Sequence, residues 1–405
     1  MAMEIRAARA DEFDEFGLIG AYVFAGAFGD GPDNAVARGN RPEWTTCAFV
    51  DGRMAATYSA IPFTMRANGN AVPMAGVSAV GTLPEYRRRG LLRAMTTHSF
   101  AQMRERGQGI AALWASQSAI YQRYGYALSN LQTSYRIDTV DIAFFDGNGG
   151  SADVARVAAE EAYDIVKPLY TAFVAPRMGY LHRARALWQN NALSATAATG
   201  PAHVAVARDG GGAAVGYVIY HLRGGSGDHP TRNQEITIKD LVWLTADAYR
   251  SLWSWLARHD LVGRIVWTRA PSDDPAAELL VEPRLLHAQV RDGAWLRLVD
   301  ARIALAGRGY DVDGRITFEL APDSLAPWNE GRFALECTTQ GARVVDVSDE
   351  CDLRMTVKAL ASLYCGMRTP RQLAAWGLLT GNDAALERAT AIFATRHAPH
   401  HPDSF

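Results

Sequence analysis

Four arginines around a glycine form the part of this sequence best suited to binding an anion. They lie at residues 87–93, between an apolar stretch that ends near Thr82 and a helical pattern that begins at Leu91. Gly90 allows the backbone to approach a ligand, and the unpaired N–H groups of a helix start attract negative charge. Arginine is unfavourable for the helix dipole at this end, so the cluster needs an explanation. A bound pyrophosphate gives one; a solvated basic helix start is the alternative.

The elements that would hold this turn follow an α+β pattern. Residues 45–50 and 54–58 flank Asp51-Gly52, which predicts a β-hairpin. Further predicted elements are a strand at residues 65–68, a strand at 74–82, a helix at 91–106, a strand at 110–115 and a helical turn at 119–124. The cluster of Gly and Asn at residues 147–151 predicts the end of this first domain.

The following residues repeat the same order of elements. A hairpin at residues 204–218 precedes a strand-like stretch at 235–244, a helix at 249–259 and a strand at 264–267. Residues 244–249 read Leu-Thr-Ala-Asp-Ala-Tyr where the first copy has its arginines. We therefore predict a duplicated domain whose second copy lacks the anion site.

A third pattern starts near residue 291. Residues 295–299, 316–320 and 332–336 alternate apolar with polar side chains, as half-buried strands do. Three helical segments follow, at residues 355–364, 369–376 and 382–393. Pro399 and Pro402 exclude a helix from the last nine residues.

The composition sets limits on function. A formal net charge of -2 gives no general attraction to nucleic acid or to an anionic membrane. The four cysteines form no C-x-x-C pair, which favours free thiols in a reducing compartment. The first residues lack the apolar core of a secretion signal, and no run of about 18 apolar residues is present. We expect a cytoplasmic protein that binds neither nucleic acid nor membrane.

Three segments together resemble the enhanced intracellular survival (Eis) family of GNAT-type N-acetyltransferases. They are RRRGLLRAM from Arg87, AALWAS from Ala111 and IYQRYGY from Ile120. The GNAT acetyl-CoA motif is (Gln/Arg)-x-x-Gly-x-(Gly/Ala), and here Leu92 replaces the final small residue. The resemblance extends over the whole chain.

The resemblance implies a fold and an activity. The fold is α+β, with two tandem GNAT-like domains, at residues 1–148 and 149–290, followed by a sterol-carrier-protein-like domain at residues 291–405. Only the first domain would bind acetyl-CoA. The activity is transfer of acetyl from acetyl-CoA to a primary amine of an aminoglycoside or another small molecule, with lysine as a further acceptor, in a homohexamer.

The resemblance also implies roles for individual residues. Tyr121, in Tyr-x-x-x-Gly-Tyr, would protonate the departing CoA thiolate, a reasonable exchange between a phenol of pKa about 10 and a thiol of pKa about 8–9. Tyr124 is a lesser alternative, and a core tyrosine is the ordinary reading of such a position. The terminal carboxylate of Phe405 would accept the proton of the amine, although chain ends are usually frayed.

The resemblance also implies which residues bind acetyl-CoA. The backbone of Val80, Gly81 and Thr82 would bond the pantetheine arm and polarise the acetyl carbonyl. The other implied cofactor-binding residues are Arg88, Arg89, Gly90, Leu91, Leu92, Arg93, Ser116 and Gln117.

The acceptor site is the least specified part. Phe24 and Phe28 predict aromatic walls, and the acids nearest in sequence are Asp30, Asp33 and Asp403. We therefore expect a weaker preference for highly charged amines. His397, His400 and His401 match no zinc spacing, so no metal is predicted. The alternative function is a non-catalytic lipid or ligand carrier built around residues 291–400, which would not bind acetyl-CoA.

Overall fold

The computed structural model describes residues 2–32, 34–196, 199–225 and 230–405. Their strands, in chain order, are β1 (Met3–Arg6), β2 (Cys47–Val50), β3 (Arg53–Ala67), β4 (Asn70–Thr82), β5 (Ile110–Trp114), β6 (Ala127–Leu128), β7 (Leu131–Asp138), β8 (Asp153–Val157), β9 (Ala202–Arg208), β10 (Ala214–Arg223), β11 (Gln234–Trp243), β12 (Val262–Ala270), β13 (Gln289–Asp292), β14 (Ala294–Leu298), β15 (Gly314–Leu320), β16 (Gly331–Thr338), β17 (Gly341–Asp346), β18 (Leu353–Met355) and β19 (Leu379–Gly381).

The α-helices of the same residues, in chain order, are α1 (Phe13–Val23), α2 (Ala35–Arg38), α3 (Leu91–Glu105), α4 (Ser118–Gln122), α5 (Ala159–Val174), α6 (Arg185–Leu187), α7 (Ala246–Ala257), α8 (Ala276–Leu279), α9 (Ala301–Gly307), α10 (Val357–Tyr364), α11 (Pro370–Ala375) and α12 (Asp383–Phe393). The last residues, after Phe393, contain no helix, as the two prolines predict.

The chain divides into two compact units. The first contains the described residues up to Ser129, residues Ala294–Thr395 and Phe405, and the second contains Asn130–Gly293 and Arg396–Ser404. The first unit holds two sheets and the second holds one.

The first sheet of the first unit has the order β1-β2-β3-β4-β5-β14-β6. Two-residue turns join β2 to β3 at Asp51-Gly52 and β3 to β4 at Asn68-Gly69, and all four residues have positive φ. This is the turn chemistry that Asp-Gly and Asn-Gly favour, and the predicted hairpin is confirmed. The stretch predicted as a strand at residues 65–68 is the end of β3 and its turn.

Helix α3 packs on this sheet through one face. Its buried residues include Leu91, Met95, Ser99 and Met103, which are spaced four residues apart and therefore lie on one face of the helix. Strand β4 precedes the helix and β5 follows it, and these two strands run parallel. The β4–α3–β5 unit therefore fixes the turn that carries the arginines.

The second sheet of the first unit has the order β17-β16-β15-β18-β19. The fully buried rings of Phe318 and Phe333 lie 4.4 Å apart, centroid to centroid, and fill its interior. Helices α10, α11 and α12 begin at Thr356, Thr369 and Asn382, whose side chains each accept a hydrogen bond from a backbone N–H of the first turn. The three predicted helices of this region are confirmed.

The second unit contains a sheet of order β13-β7-β12-β11-β10-β9-β8. Read from β8, this order matches that of the first sheet, and β11 runs parallel to β12 as β4 does to β5. Trp253 and Trp267 are buried in its core, and Trp243 and Trp255 pack against that core. The predicted duplication is confirmed.

The sheets divide at different places from the predicted domain boundaries. Strand β7 lies before residue 148 and yet pairs with β12 of the second unit. Strand β14 lies after residue 290 and pairs with β5 and β6 of the first unit. The sequence pattern of β14 identified a strand correctly, but an alternating pattern carries no information about which sheet the strand joins.

Candidate active site

Strands β4 and β5 diverge after a short parallel ladder. Within the described residues their pairing runs from Met74↔Ile110 to Gly76↔Ala112, whereas β4 continues to Thr82 and β5 to Trp114. Beyond Gly76, the β4 backbone groups that face away from β3 therefore have no β5 partner in this ladder. Such an edge offers N–H and C=O groups to an extended ligand arm.

A β-bulge accompanies this divergence. The β3–β4 register shifts between Thr57↔Gly81 and Ser59↔Ser78, and Ala79 has φ +52. Thr57 donates from Oγ1 to the carbonyl oxygen of Ala79 at 2.8 Å. A non-glycine residue in the left-handed region is strained and persists where its surroundings hold it. The bulge bends β4 at the three residues predicted to bind the pantetheine arm, Val80, Gly81 and Thr82.

The turn before α3 leaves the helix start open. Gly90 is the N-cap with φ +79, and no side chain caps the helix. A Cβ built on Gly90 would meet no atom within 4 Å, so the space beside its backbone is empty of protein atoms. Arg88 also has positive φ, at +61. The first amides of α3 are thus free of side-chain caps at a site lined with cationic residues, which suits a phosphate.

The arginines of this turn are exposed. Arg89 donates from Nη2 to the carbonyl oxygen of Glu85 at 2.7 Å and lies over the Tyr86 ring. Arg93 donates from Nη2 to Ser324 Oγ at 2.7 Å. Both guanidinium groups are exposed, so their charge can attract an anionic ligand.

The other predicted cofactor residues differ in what they present. Leu91 is buried in the core, so its side chain is withdrawn from a ligand, whereas Leu92 packs against the core and is partly exposed. Ser116 and Gln117 are exposed in the link from β5 to α4. The structure therefore places Gly81, near the end of β4, and Gly90 with the arginines, at the start of α3, on the two sides of one turn.

Tyr121 lies in α4 with its ring packed against the core that α3 covers. Its ring centroid is 5.9 Å from that of Tyr126, whose side chain is fully buried. Burial raises the pKa of Tyr121 to about 12, and the neighbouring Tyr124 adds to this rise. Tyr121 therefore keeps its proton throughout the neutral range, as a proton donor must.

A buried ion pair that the sequence analysis missed supports this loop. A Cβ at Gly125, which has φ +78, would lie 2.0 Å from Nη1 of Arg297. Arg297 is fully buried and pairs with Asp323. Gly125 of the Tyr-x-x-x-Gly motif is thus required both by its backbone conformation and by the guanidinium beside it. The signal available in the sequence was a single arginine, Arg297, within an otherwise apolar strand.

The terminal residue lies where β4 and β5 diverge. The rings of Phe405 and Phe63 are 5.0 Å apart, and a Cβ at Gly76 would contact both. Gly76 is the last residue of β4 paired with β5. The end of the chain is therefore packed against the first sheet rather than frayed.

The predicted acceptor residues lie after α1. Phe24 and Phe28 form an edge-to-face pair at 5.4 Å, and Phe28 is 48% exposed. Val23 contacts Gly81, since a Cβ there would lie 3.1 Å from Val23 Cγ2. The aromatic pair therefore begins at the residue after Val23, which itself packs on β4.

The acids considered for this pocket have different environments. Asp30 is exposed, and Asp33 lies outside the described residues. Asp403 is buried in the second unit in an ion pair with Arg183. Asp403 is therefore not an available acidic lining, because its carboxylate is buried and already bound by Arg183.

The second copy satisfies its helix start internally. Thr245 caps α7 by accepting from the N–H of Ala248 at 3.1 Å, and Asp247 occupies the first turn. A threonine cap and a carboxylate there replace what an anion would supply.

A cavity of about 860 Å³ opens elsewhere on this unit, beside Arg136, Arg264 and Arg291, and contains none of the predicted site residues.

The described residues contain no group of three or more His, Cys, Asp or Glu placed to hold a metal ion. None of their helices is long and apolar enough to cross a membrane. The four cysteines are free thiols, three of them buried.

Family models match three consecutive parts of the chain. An acetyltransferase (GNAT) domain matches residues 4–129, a second acetyltransferase (GNAT) domain matches residues 179–303, and a sterol carrier protein domain matches residues 302–402. The predicted fold class is thereby confirmed.

Relatives match over most of their length. The chain is 31% identical over 422 residues to an uncharacterized N-acetyltransferase of Streptomyces coelicolor, covering all of both chains. It is 30% identical over 388 residues to N-acetyltransferase Eis of Mycobacterium tuberculosis, covering 90% of each.

Solved structures match over the full chain. A GCN5-related N-acetyltransferase from Anabaena variabilis superposes with a TM-score of 0.87 at 28% identity. Eis1 from Mycobacterium abscessus superposes with a TM-score of 0.82 at 27% identity. Both alignments cover 100% of each chain.

Proposed function

Because the chain belongs to the Eis family of GNAT-type, acetyl-CoA-dependent N-acetyltransferases, we propose that it acetylates a primary amine of a small molecule with Tyr121 and the Phe405 carboxylate as its catalytic groups. The observation that carries this proposal is the position of Phe405 at the divergence of β4 and β5. The ring of Phe405 packs at this opening, and from there the terminal carboxylate would be directed toward the strand edge that would hold the acetyl group.

The residues of the β4–α3 segment fit acetyl-CoA. Gly90 leaves room beside an uncapped helix start, and Arg88, Arg89 and Arg93 supply charge for the phosphates. The unpaired edge of β4 at Val80, Gly81 and Thr82 would bond the pantetheine arm and polarise the acetyl carbonyl. Ser116 and Gln117 would contact the cofactor beyond the end of β5. Acetyl-CoA supplies an acetyl group activated as a thioester.

The proton transfers fall to two groups of this chain. The carboxylate of Phe405 accepts a proton from the ammonium form of the acceptor, which makes the amine nucleophilic. The hydroxyl of Tyr121 donates a proton to the departing sulfur, and burial keeps that proton in place before the reaction. Each role requires the group within hydrogen-bond reach of its partner in the ternary complex.

The aromatic pair Phe24 and Phe28 favours an acceptor with an apolar or aryl part beside its amine. An arylalkylamine should therefore be acetylated with a higher kcat/KM than a polyamine or an aminoglycoside. A panel of these amines and of lysine peptides, assayed by CoA release, tests the preference. A highest kcat/KM for aminoglycosides would contradict the aromatic-wall interpretation.

Isothermal calorimetry with acetyl-CoA tests the cofactor site. The double variant Arg88→Ala/Arg89→Ala should bind at least about tenfold more weakly, because two phosphate-facing charges are lost. Arg106→Ala, which removes an exposed arginine at the other end of α3, is the matched control and should bind normally. No binding by the unmodified protein would favour the carrier function instead.

Size-exclusion chromatography with light scattering tests the homohexamer that we also propose from the family.

A further inference from the structure

The cavity of about 860 Å³ in the second unit lies on one face of three neighbouring strands. Strand β7 pairs antiparallel with β12 on one side and with β13 on the other. The even-numbered residues of β7 from 132 to 138 line the cavity, whereas Ile137 of the same strand is buried in the core with Ile265 and Trp267 of β12. Successive side chains of a strand point to opposite faces of its sheet. The cavity therefore lies on the face opposite to the core around Trp267.

The lining of this cavity carries an excess of positive charge. It contains four arginines and a single acid, namely Arg136, Arg264, Arg269, Arg291 and Asp138. The acid is paired with Arg264, whose Nε lies 3.3 Å from Asp138 Oδ1. Arg136 and Arg291 are exposed, and neither has a carboxylate partner among the described residues. The positive charge of the face is thus mostly uncompensated by the protein.

A β-bulge adds Arg269 to this face. Between Trp267 and Ala270 the register of β12 on β7 shifts by one residue, so β12 has one residue more than its partner over this step. The extra residue returns Ala270 to the core and leaves Arg269 in the cavity lining. Arg269 donates from Nη1 to the carbonyl oxygen of Pro402 at 2.7 Å, within the same unit. The strand irregularity therefore places a fourth arginine where regular alternation would have turned it to the other face.

The strand registers separate the two exposed arginines along the cavity. Arg136 of β7 stands opposite Val266 of β12. Arg291 of β13 stands opposite Gln132, which is four residues from Arg136 along β7. At about 3.3 Å per residue, the two arginines are about 13 Å apart along the strand direction. A ligand that contacts both therefore gains most when it carries more than one anionic group.

We propose that this cavity binds a small molecule that carries two or more phosphate groups. A guanidinium donates two parallel hydrogen bonds to a phosphate, and its charge is permanent. Like charges on neighbouring positions of a sheet face destabilise it, and a bound anion removes that cost. The volume is that of a small-molecule cleft, whereas a nucleic acid requires an extended basic surface. The cavity shares no residue with the proposed acetyl-CoA site, so the inference is independent of the proposed function.

Isothermal calorimetry with inorganic tripolyphosphate tests the site. The titration uses the full chain carrying Arg88→Ala/Arg89→Ala, so that the proposed acetyl-CoA turn contributes little binding. We expect saturable binding, weakened at least about tenfold when Arg136→Gln/Arg291→Gln is added, because two phosphate-binding charges are lost. Both substituted side chains are exposed, so the thermal midpoint should not change. Orthophosphate, with a single phosphate group, should bind at least about tenfold more weakly than tripolyphosphate.

A second pair of arginines in the same sheet provides the matched control. Arg156→Gln/Arg208→Gln removes the same charge from β8 and β9, outside the cavity, and should leave the tripolyphosphate Kd unchanged. Asp138→Asn is the reciprocal variant, since it removes the one acid of the lining and releases Arg264. It should strengthen tripolyphosphate binding by about twofold to fivefold, as expected for an exposed charge pair.

Three results would overturn the proposal. The first is the absence of saturable tripolyphosphate binding, and the second is an equal Kd for the cavity variant and its charge-matched control. The third is tighter binding of a short single-stranded DNA than of tripolyphosphate, which would assign the arginines to a macromolecular surface. Equal affinities for orthophosphate and tripolyphosphate would exclude a ligand with several phosphate groups.

Discussion

The ring of Phe405 lies 5.0 Å from the ring of Phe63, above the glycine at which β4 and β5 separate. The last residue of the chain is thereby placed at the centre of the first sheet. This contact places the aromatic ring of the terminal residue, whose carboxylate we propose as the general base.

Extending the chain beyond Phe405 should abolish most of the activity. Appending a few residues, for example a C-terminal tag, converts the terminal carboxylate into a neutral amide and adds bulk at the strand opening. We expect kcat to fall by at least about 100-fold with little change in acetyl-CoA affinity. The same tag on the N-terminus is the control. Equal steady-state activity of the two tagged proteins would exclude the carboxylate as the base.

Tyr121→Phe should lower kcat by about 10²–10⁴ because the proton donor to sulfur is lost. Burial of the ring is unchanged by this substitution, so the thermal stability and the acetyl-CoA Kd should stay near those of the unmodified protein. Tyr124→Phe is the matched control, since Tyr124 is the neighbouring, more exposed phenol. If Tyr124→Phe has the larger effect on CoA release, Tyr124 and not Tyr121 is the proton donor.

Gly90→Ala should affect binding more than stability. Gly90 and Gly52 have nearly the same φ, +79 and +81, and a Cβ at either position would meet no atom within 4 Å. Both alanine variants should therefore lose about 1 kcal/mol of unfolding free energy from backbone strain. Only Gly90→Ala should also weaken acetyl-CoA binding, by about tenfold or more, because its methyl group enters the phosphate space. Equal acetyl-CoA Kd values for the two variants would argue against a phosphate at this turn.

Acid should destabilise the protein through its buried histidines. Burial lowers the pKa of His400 to about 3 and that of His401 to about 4. Unfolded histidine binds its proton near pH 6.5, so below that pH the unfolded chain holds more protons than the folded one. The unfolding free energy should be highest above pH 6.5 and fall by up to about 1.4 kcal/mol per pH unit per histidine toward pH 4.

Urea titrations across this range measure the effect. His401→Gln should reduce the slope with pH, whereas His98→Gln, at an exposed position on α3, should leave it unchanged. A slope identical to that of the unmodified protein in His401→Gln would show that other groups cause the acid sensitivity.

Local patterns in the sequence were sufficient for most elements and for the arginine turn. Asp51-Gly52 determines a hairpin through its own backbone preference, and the spacing of Leu91, Met95 and Met103 at multiples of four residues determines a helix face. Gly90 was identifiable because a glycine between arginines and a helix has few other uses. The catalytic assignments, in contrast, depend on the family and stay predictions.

The rest depends on contacts between residues far apart in the chain. Arg297 and Asp323 are ordinary polar residues in the sequence, and only the fold shows that they form a buried pair beneath Gly125. The positive φ of Ala79 has no residue-level signal at all, because alanine does not favour it. Asp403 was interpreted as a pocket acid because no pattern could reveal its partner 220 residues earlier, Arg183.

Strand β14 comes late in the chain and yet completes the first sheet, next to β5 and β6. This order constrains how the chain acquires its structure during synthesis. Strand β5 has its β14 neighbour only after residue 298 has left the ribosome, nearly 190 residues later, and among the described strands β6 pairs with β14 alone. Until then the nascent chain presents an unsatisfied, apolar strand edge, which is prone to aggregate. We therefore expect fragments that stop before β14 to be less soluble than the full chain, and nascent chains that end before β14 to depend more on chaperones.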